Sequence, residues 1–158
     1  MSVPNPSPGP AGDPPPRSDD ATALEDLQCS GVPADPGRLV LLREQLADWV
    51  LRAGLSEEIR ERVLLATYEA MANVVVHAYR EATGPLDLHA TSRNGLITVS
   101  VTDYGRWQPV ARPTPLHGRG LPLIRRLTSE ASIDTTAAGT TVTMTFLRAL
   151  PGDPRAAR

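Results

Sequence analysis

The chain contains no lysine; all 16 of its basic residues are arginine. That absence removes the lysine of a phosphate-binding P-loop, a lysine Schiff base and any kinase mechanism built on a lysine. Cysteine is nearly absent as well. Cys29 stands alone, which excludes an intrachain disulfide and a thiolate metal cluster and leaves Cys29 to be read as a plain buried residue. An excess of positive charge is missing: the formal net charge is −2, so no basic surface for nucleic acid is implied and a polyanion is excluded as partner. No apolar run reaches the length of a membrane span, and the first residues hold no signal-peptide core. These absences lead to the expectation of a soluble, cytoplasmic protein in a reducing compartment, with no direct nucleic-acid and no membrane partner.

What is present is 158 residues, enough for one domain with a real core. Seven of the 16 prolines fall before residue 20, in VPNPSPGPAGDPPPRSDD. Almost nothing in that stretch can be buried, so it reads as a disordered tail with polyproline character, with a docking ligand as the alternative. The expected organisation is a disordered Pro-rich tail over 1–22, one globular domain over 23–148 and a disordered tail over 149–158.

Inside the domain, Leu24 to Ser30 alternates weakly and reads as an edge strand ended by Gly31 and Pro33. Asp35-Pro36 opens a helix, with Asp35 as N-cap and proline in the first turn. Leu39, Leu42, Leu46, Trp49 and Val50 carry its apolar stripe, and Gly54 stops it. Ser56-Glu57-Glu58 opens a second helix, with Ile59, Val63, Ala66, Ala70 and Val74 as its stripe, running to about Arg80. Leu86, Leu88 and Ala90 alternate as a strand. Asn94-Gly95 is a hairpin turn because both residues accept positive φ. Leu96 to Thr102 is the returning, β-branched strand. From 106 to 117 no periodicity survives three prolines, which predicts a loop long enough to be a lid. A short helix begins near Gly118 and runs to about Leu127, and a last hairpin pairs Ser132–Thr135 with Thr140–Leu147. The expected fold is α+β: a two-layer α/β sandwich, with a mixed, mostly antiparallel sheet and helices on one face.

Polar residues of particular type fall at particular points of this framework. Glu69, Asn73 and His77 are spaced i, i+4, i+8, in line on an otherwise apolar helix of Ala, Val and Met. A carboxylate, an amide and an imidazole in a row satisfy one another only partly. A ligand or a metal would complete them; an amphipathic helix with satisfied polar residues is the plainer alternative. Asp103-Tyr104-Gly105 ends a strand. Gly118-Arg119-Gly120 stands at a helix N-terminus, where bare backbone N–H groups suit phosphate. Gly139-Thr140-Thr141 begins the last strand. Each of these is common by itself, but their order and spacing together are distinctive.

In that order the four elements resemble the histidine-kinase-like ATPase superfamily, with its ATP-binding fold of Bergerat type. They look more closely like the small anti-sigma factor serine/threonine kinases of the RsbW and SpoIIAB kind. Asp103-Tyr-Gly-Arg-Trp107 and Gly118-Arg-Gly-Leu-Pro-Leu-Ile124 are similar to the actinobacterial branch. The resemblance spans about residues 24 to 148. It implies ATP and Mg²⁺ as ligands, with Asn73 offering an amide oxygen to the metal and Glu69 as catalytic base. It implies nucleotide contacts from Asn73, His77, Asp103, Gly105, Gly118, Arg119, Gly120, Leu121 and Thr140. Asp103 would accept from the adenine 6-amino group, Gly105 would let the backbone approach the ring, and Thr140 would bridge the same edge. His77 also has a purely structural reading as a hydrogen-bonding residue.

The implied partners are a sigma factor and an anti-anti-sigma (STAS) protein phosphorylated on serine or threonine; a homodimer is also compatible with the resemblance. The pattern departs in two places. Arg106 and Trp107 follow Gly105 where many relatives have a second glycine. Leu116 stands where some kinases carry an arginine for the γ-phosphate, leaving Arg119 or Arg112 to substitute. A nucleotide-dependent regulatory binding module without kinase activity is the rival reading, and a plain ATPase is a third.

Overall fold

The computed structural model describes residues 23–79, 83–106 and 120–149. The tail expected over 1–22, nearly all of that over 149–158, the lid beyond Arg106, and Gly118 and Arg119 lie outside the described residues. In chain order the elements are β1 (Leu27–Pro33), α1 (Pro36–Arg52), α2 (Glu57–Asn73), a π turn (Val74–Ala78), β2 (Pro85–Arg93), β3 (Leu96–Asp103), α3 (Gly120–Leu127), β4 (Glu130–Thr136) and β5 (Gly139–Leu147). The strands form one sheet in the order β1-β2-β3-β5-β4. Every pairing among them is antiparallel, in line with the mostly antiparallel sheet expected from sequence.

The helix boundaries follow local chemistry. Asp35 caps α1 by accepting from Arg38 N at 3.0 Å, with proline in the first turn. Ser56 Oγ accepts from Ile59 N, and Glu57 and Glu58 lie where the helix dipole favours acids. Leu39, Leu42, Leu46, Trp49 and Val50 are buried on α1, as their spacing requires. Gly54, at φ +69°, turns the chain between the two helices.

The sheet has two unlike faces. Leu86, Leu88, Ala90, Ile97, Val99, Val101, Val142, Met144 and Phe146 are buried in one core with the helices. Each fully buried Leu, Ile, Met or Phe among them is worth about 1.5–3 kcal/mol. On the other face the strands carry Thr98, Ser100, Thr102, Thr141, Thr143 and Thr145, all half-buried. These β-branched and small side chains suit a pleated surface without requiring cover. α2 is the central helix, packed between α1 and α3 and over β3 and β5. The β2–β3 turn has Asn94 at φ 53° and Gly95 at φ 76°, the two positive values of a tight hairpin.

Three elements differ in their bounds from those read in the sequence. β1 begins at Leu27 rather than Leu24 and does not stop at Gly31. Between Cys29 and Val32 the register slips, with Gly31 at φ +64°, so the glycine makes a bulge and the edge strand continues to Pro33. β4 is longer than Ser132–Thr135 and covers Glu130–Thr136. The largest difference is in the second helix, which was expected to continue unbroken to Arg80. Its α-geometry ends at Asn73 and the next five residues form the π turn. Val74-Val75-Val76 is a run of β-branched residues, which crowd an α-helix and weaken its last turns.

Candidate functional site

Glu69 and Asn73 lie one turn apart near the end of α2, each half-buried. Asn73 is the last α-helical residue. His77 follows inside the π turn. A π turn closes i→i+5 rather than i→i+4. The three polar residues thus lie on two local geometries, Glu69 and Asn73 in the α-helix and His77 in the π turn.

What the π turn accomplishes is visible at its end. The Ala78 carbonyl is directed at the turn after β3, where it accepts from Arg106 N at 3.1 Å. A Cβ on Gly105 would lie 2.1 Å from that same oxygen. Only glycine allows the two segments to meet, a requirement independent of any ligand. The end of α2 and the Asp103-Tyr104-Gly105 turn are thereby joined.

Asp103 is 1% exposed at the end of β3. Its Oδ1 accepts from Gly105 N at 3.0 Å, closing an Asx turn. Its register partner on β5 is Thr140, also buried, with its hydroxyl 3.4 Å from that of Thr135. Gly139, at φ +147°, begins β5, and a Cβ there would lie 1.9 Å from the Asp103 carbonyl oxygen. The glycine of the glycine-threonine pair is thus what lets β5 close on Asp103. Of the second glycine motif, Gly120 is the first residue of α3 and Leu121 is half-buried in it. α3 packs against α2, the helix that carries Glu69 and Asn73.

One group of residues was not singled out from sequence. Tyr79 Oη donates to the Pro85 carbonyl at 2.5 Å and accepts from Tyr104 N at 3.0 Å. The Tyr104 hydroxyl donates to Asp87 Oδ2. Asp87 Oδ1 accepts from Gly31 N, in the β1 bulge, at 2.7 Å. A Cβ on Gly84 would lie 2.1 Å from Tyr79 Cε1, so the tyrosine ring packs where this glycine has no side chain. Burial pushes the Tyr79 phenol above its ordinary range, and the Asp87 carboxylate does the same to Tyr104. Both phenols therefore remain protonated donors at neutral pH. The only cue in the sequence is that a tyrosine follows the polar helix and another lies inside Asp-x-Gly.

A two-layer sandwich with a polar helix end facing a buried aspartate turn defines an ATP-binding fold of the histidine-kinase-like class. Residues 32–146 match the histidine kinase-like ATPase domain family, and the chain belongs to it. Among solved structures, the chain is similar to the RsbU and RsbW domains of Rv1364c from Mycobacterium tuberculosis. The TM-score is 0.65 at 26% identity, over 78% of this chain and 32% of that one. This chain therefore spans about a third of that structure's length. It also matches the histidine kinase domain of the Erythrobacter litoralis EL346 blue-light activated histidine kinase. There the TM-score is 0.47 at 25% identity, over 57% of this chain and 45% of that one.

The residues present fit an adenine nucleotide. A buried carboxylate, an acceptor, lies in register with a threonine hydroxyl, and a half-buried carboxylate and amide stand one helical turn apart. Among the described residues no group of three or more His, Cys, Asp or Glu could hold a metal. Mg²⁺ ordinarily takes one or two protein oxygens beside phosphates and water, and the Asn73 amide is of a type that could supply one. No helix among the described residues is long and apolar enough to cross a membrane.

Two expectations follow for these positions. If Asp103 faces the base, its carboxylate would accept from the 6-amino group of adenine but oppose the 6-oxo group of guanine. An unpaired buried polar group costs about 1–3 kcal/mol, so ATP should bind about tenfold or more tighter than GTP. Asp103→Asn should weaken ATP binding. Equal calorimetric affinities for the two nucleotides would remove Asp103 from the base pocket. Asn73→Ala should abolish the Mg²⁺-dependent part of nucleotide affinity and leave the fold intact, since Ala is the best helix former. Titration of the variant with Mg²⁺ and with a chelator checks this; full retention of the Mg²⁺ effect would place the metal elsewhere.

Proposed function

We propose that the chain is an ATP-dependent serine/threonine protein kinase of the anti-sigma type. It sequesters a sigma factor or similar regulator and phosphorylates a small STAS-type antagonist, whose modification in turn governs release of the partner. The observation that carries this reading is the pairing of Glu69 with Asn73 at the end of α2, on a fold similar to a structure containing an RsbW domain. In phosphoryl transfer the protein supplies mainly position and charge. Asn73 would help hold Mg²⁺, which neutralises phosphate charge when bound. Asp103 and Thr140 would fix the base, with the second glycine motif on the phosphate side.

Glu69, one turn from Asn73, would orient the serine or threonine hydroxyl and accept its proton. The oxygen of that hydroxyl forms the new bond to the γ-phosphorus, the bond to the ADP oxygen breaks, and ADP leaves. Test substrates are STAS-type proteins and sigma factors recovered from the source organism with the tagged full chain. Phosphate from labelled ATP should appear on a serine or threonine of one of the STAS-type proteins. A chain that binds ATP and its partner yet transfers no phosphate to any of them would defeat the kinase assignment in favour of a nucleotide-dependent binding module.

A further inference from the structure

We propose that Tyr79 and Asp87 are positioning residues for base recognition, holding Tyr104 at both ends so that the Asp103-Tyr104-Gly105 turn keeps one geometry. The inference rests on the nucleotide-binding reading above and adds residues that the four sequence motifs do not contain.

The observation behind it is an anomaly of exposure. Tyr104 is 52% exposed, and a side chain that open is ordinarily free to move. Here its hydroxyl donates to Asp87 Oδ2 and its backbone N–H donates to Tyr79 Oη. The two anchors come from different elements. Tyr79 is the residue after the π turn, and Asp87 is the third residue of β2. Each anchor is itself held. Tyr79 Oη donates to the Pro85 carbonyl and its ring packs where Gly84 lacks a side chain. Asp87 accepts from Gly31 N in the β1 bulge. A phenol that donates once and accepts once, and a carboxylate that uses both oxygens, leave Tyr104 little freedom.

The segment fixed in this way carries the base-recognition group. Asp103 precedes Tyr104, and Gly105 follows it with its N–H bonded to Asp103 Oδ1. Rotation of the peptide around Tyr104 would move that N–H and with it the carboxylate. Arg106 N, bonded to the Ala78 carbonyl, adds a third tie next to Tyr79. The polar end of α2 and the base turn are therefore joined through residues 78 and 79. The π turn ends where Ala78 and Tyr79 make these ties.

The test compares the full chain with Tyr79→Phe and Tyr104→Phe, measuring ATP and GTP affinity by calorimetry and the melting temperature of each. Tyr79→Phe retains the ring against Gly84, and Tyr104→Phe changes only an exposed hydroxyl, so both should fold. Loss of one hydrogen bond at an anchor should weaken ATP binding about three- to tenfold. The ATP-over-GTP ratio should fall with it, because the loosened carboxylate discriminates less. Wild-type affinity and wild-type selectivity in both variants would overturn the proposal and leave the nucleotide reading intact. Equal loss for ATP and GTP, accompanied by a lower melting temperature, would also overturn it and make the tyrosines structural only. A wild-type chain that binds no ATP would overturn the nucleotide reading and this proposal together.

Discussion

Glu69→Gln is expected to lower phosphoryl transfer by about 10²–10⁴-fold, the usual worth of a general base, while ATP affinity stays near the wild-type value. Glutamine keeps the size of the side chain and its place one turn from Asn73, but it cannot accept the hydroxyl proton. Glu69 is only half-buried, so an uncharged replacement neither opens a cavity nor strands a partner in the core. Partner binding should therefore survive. The measurement is phosphate incorporation into the antagonist protein, wild type against variant, beside nucleotide affinity. A drop in transfer that follows a drop in affinity would assign Glu69 to binding. Transfer at the wild-type rate would place the base elsewhere.

The second large effect concerns stability. Gly139→Ala should destabilise the domain by several kcal/mol. Two independent terms add at this residue. Its φ of +147° lies where L side chains rarely go, and a Cβ would lie 1.9 Å from the Asp103 carbonyl oxygen and 2.8 Å from Tyr104 Cα. Backbone strain of this kind costs about 1–3 kcal/mol. The contact is with backbone of β3 rather than with a flexible side-chain tip, so relief requires moving the strand pair. A domain of this size loses roughly 2–6 °C of Tm per kcal/mol, so a fall of about 10 °C or more is expected in a thermal melt. Nucleotide affinity should fall as well, because the strand that must move carries Asp103. Gly95→Ala is the control. Gly95 is also at positive φ, 76°, but a Cβ there meets nothing within 4 Å, so it carries the strain without the clash. Equal melting temperatures for the two variants would show that the close approach to Asp103 contributes nothing.

Much of the fold was legible in the chain because its determinants are local. The cap at Asp35, the cap at Ser56, the stripe from Leu39 to Val50, and the alternation of Leu86, Leu88 and Ala90 depend on neighbours within a few residues. Asn94-Gly95 specified its turn in the same way. The motif residues Glu69, Asn73, Asp103 and Gly105 were legible for another reason: their types and their order along the chain are unusual together. Tertiary structure alone decided how these motifs meet. Gly31 read as a strand end because nothing nearby shows that Asp87, 56 residues on, would accept from its N–H and turn it into a bulge. The second helix read as continuous because the crowding at Val74-Val75-Val76 does not by itself show where the helix ends; the ties of Tyr79 to Tyr104 and of Ala78 to Arg106 lie far along the chain. Gly139 gained its meaning only when β5 paired with β3 and brought it onto the Asp103 carbonyl. Periodicity and capping are written within one turn of the chain, whereas a bulge and a close backbone contact are set by residues that only folding brings together.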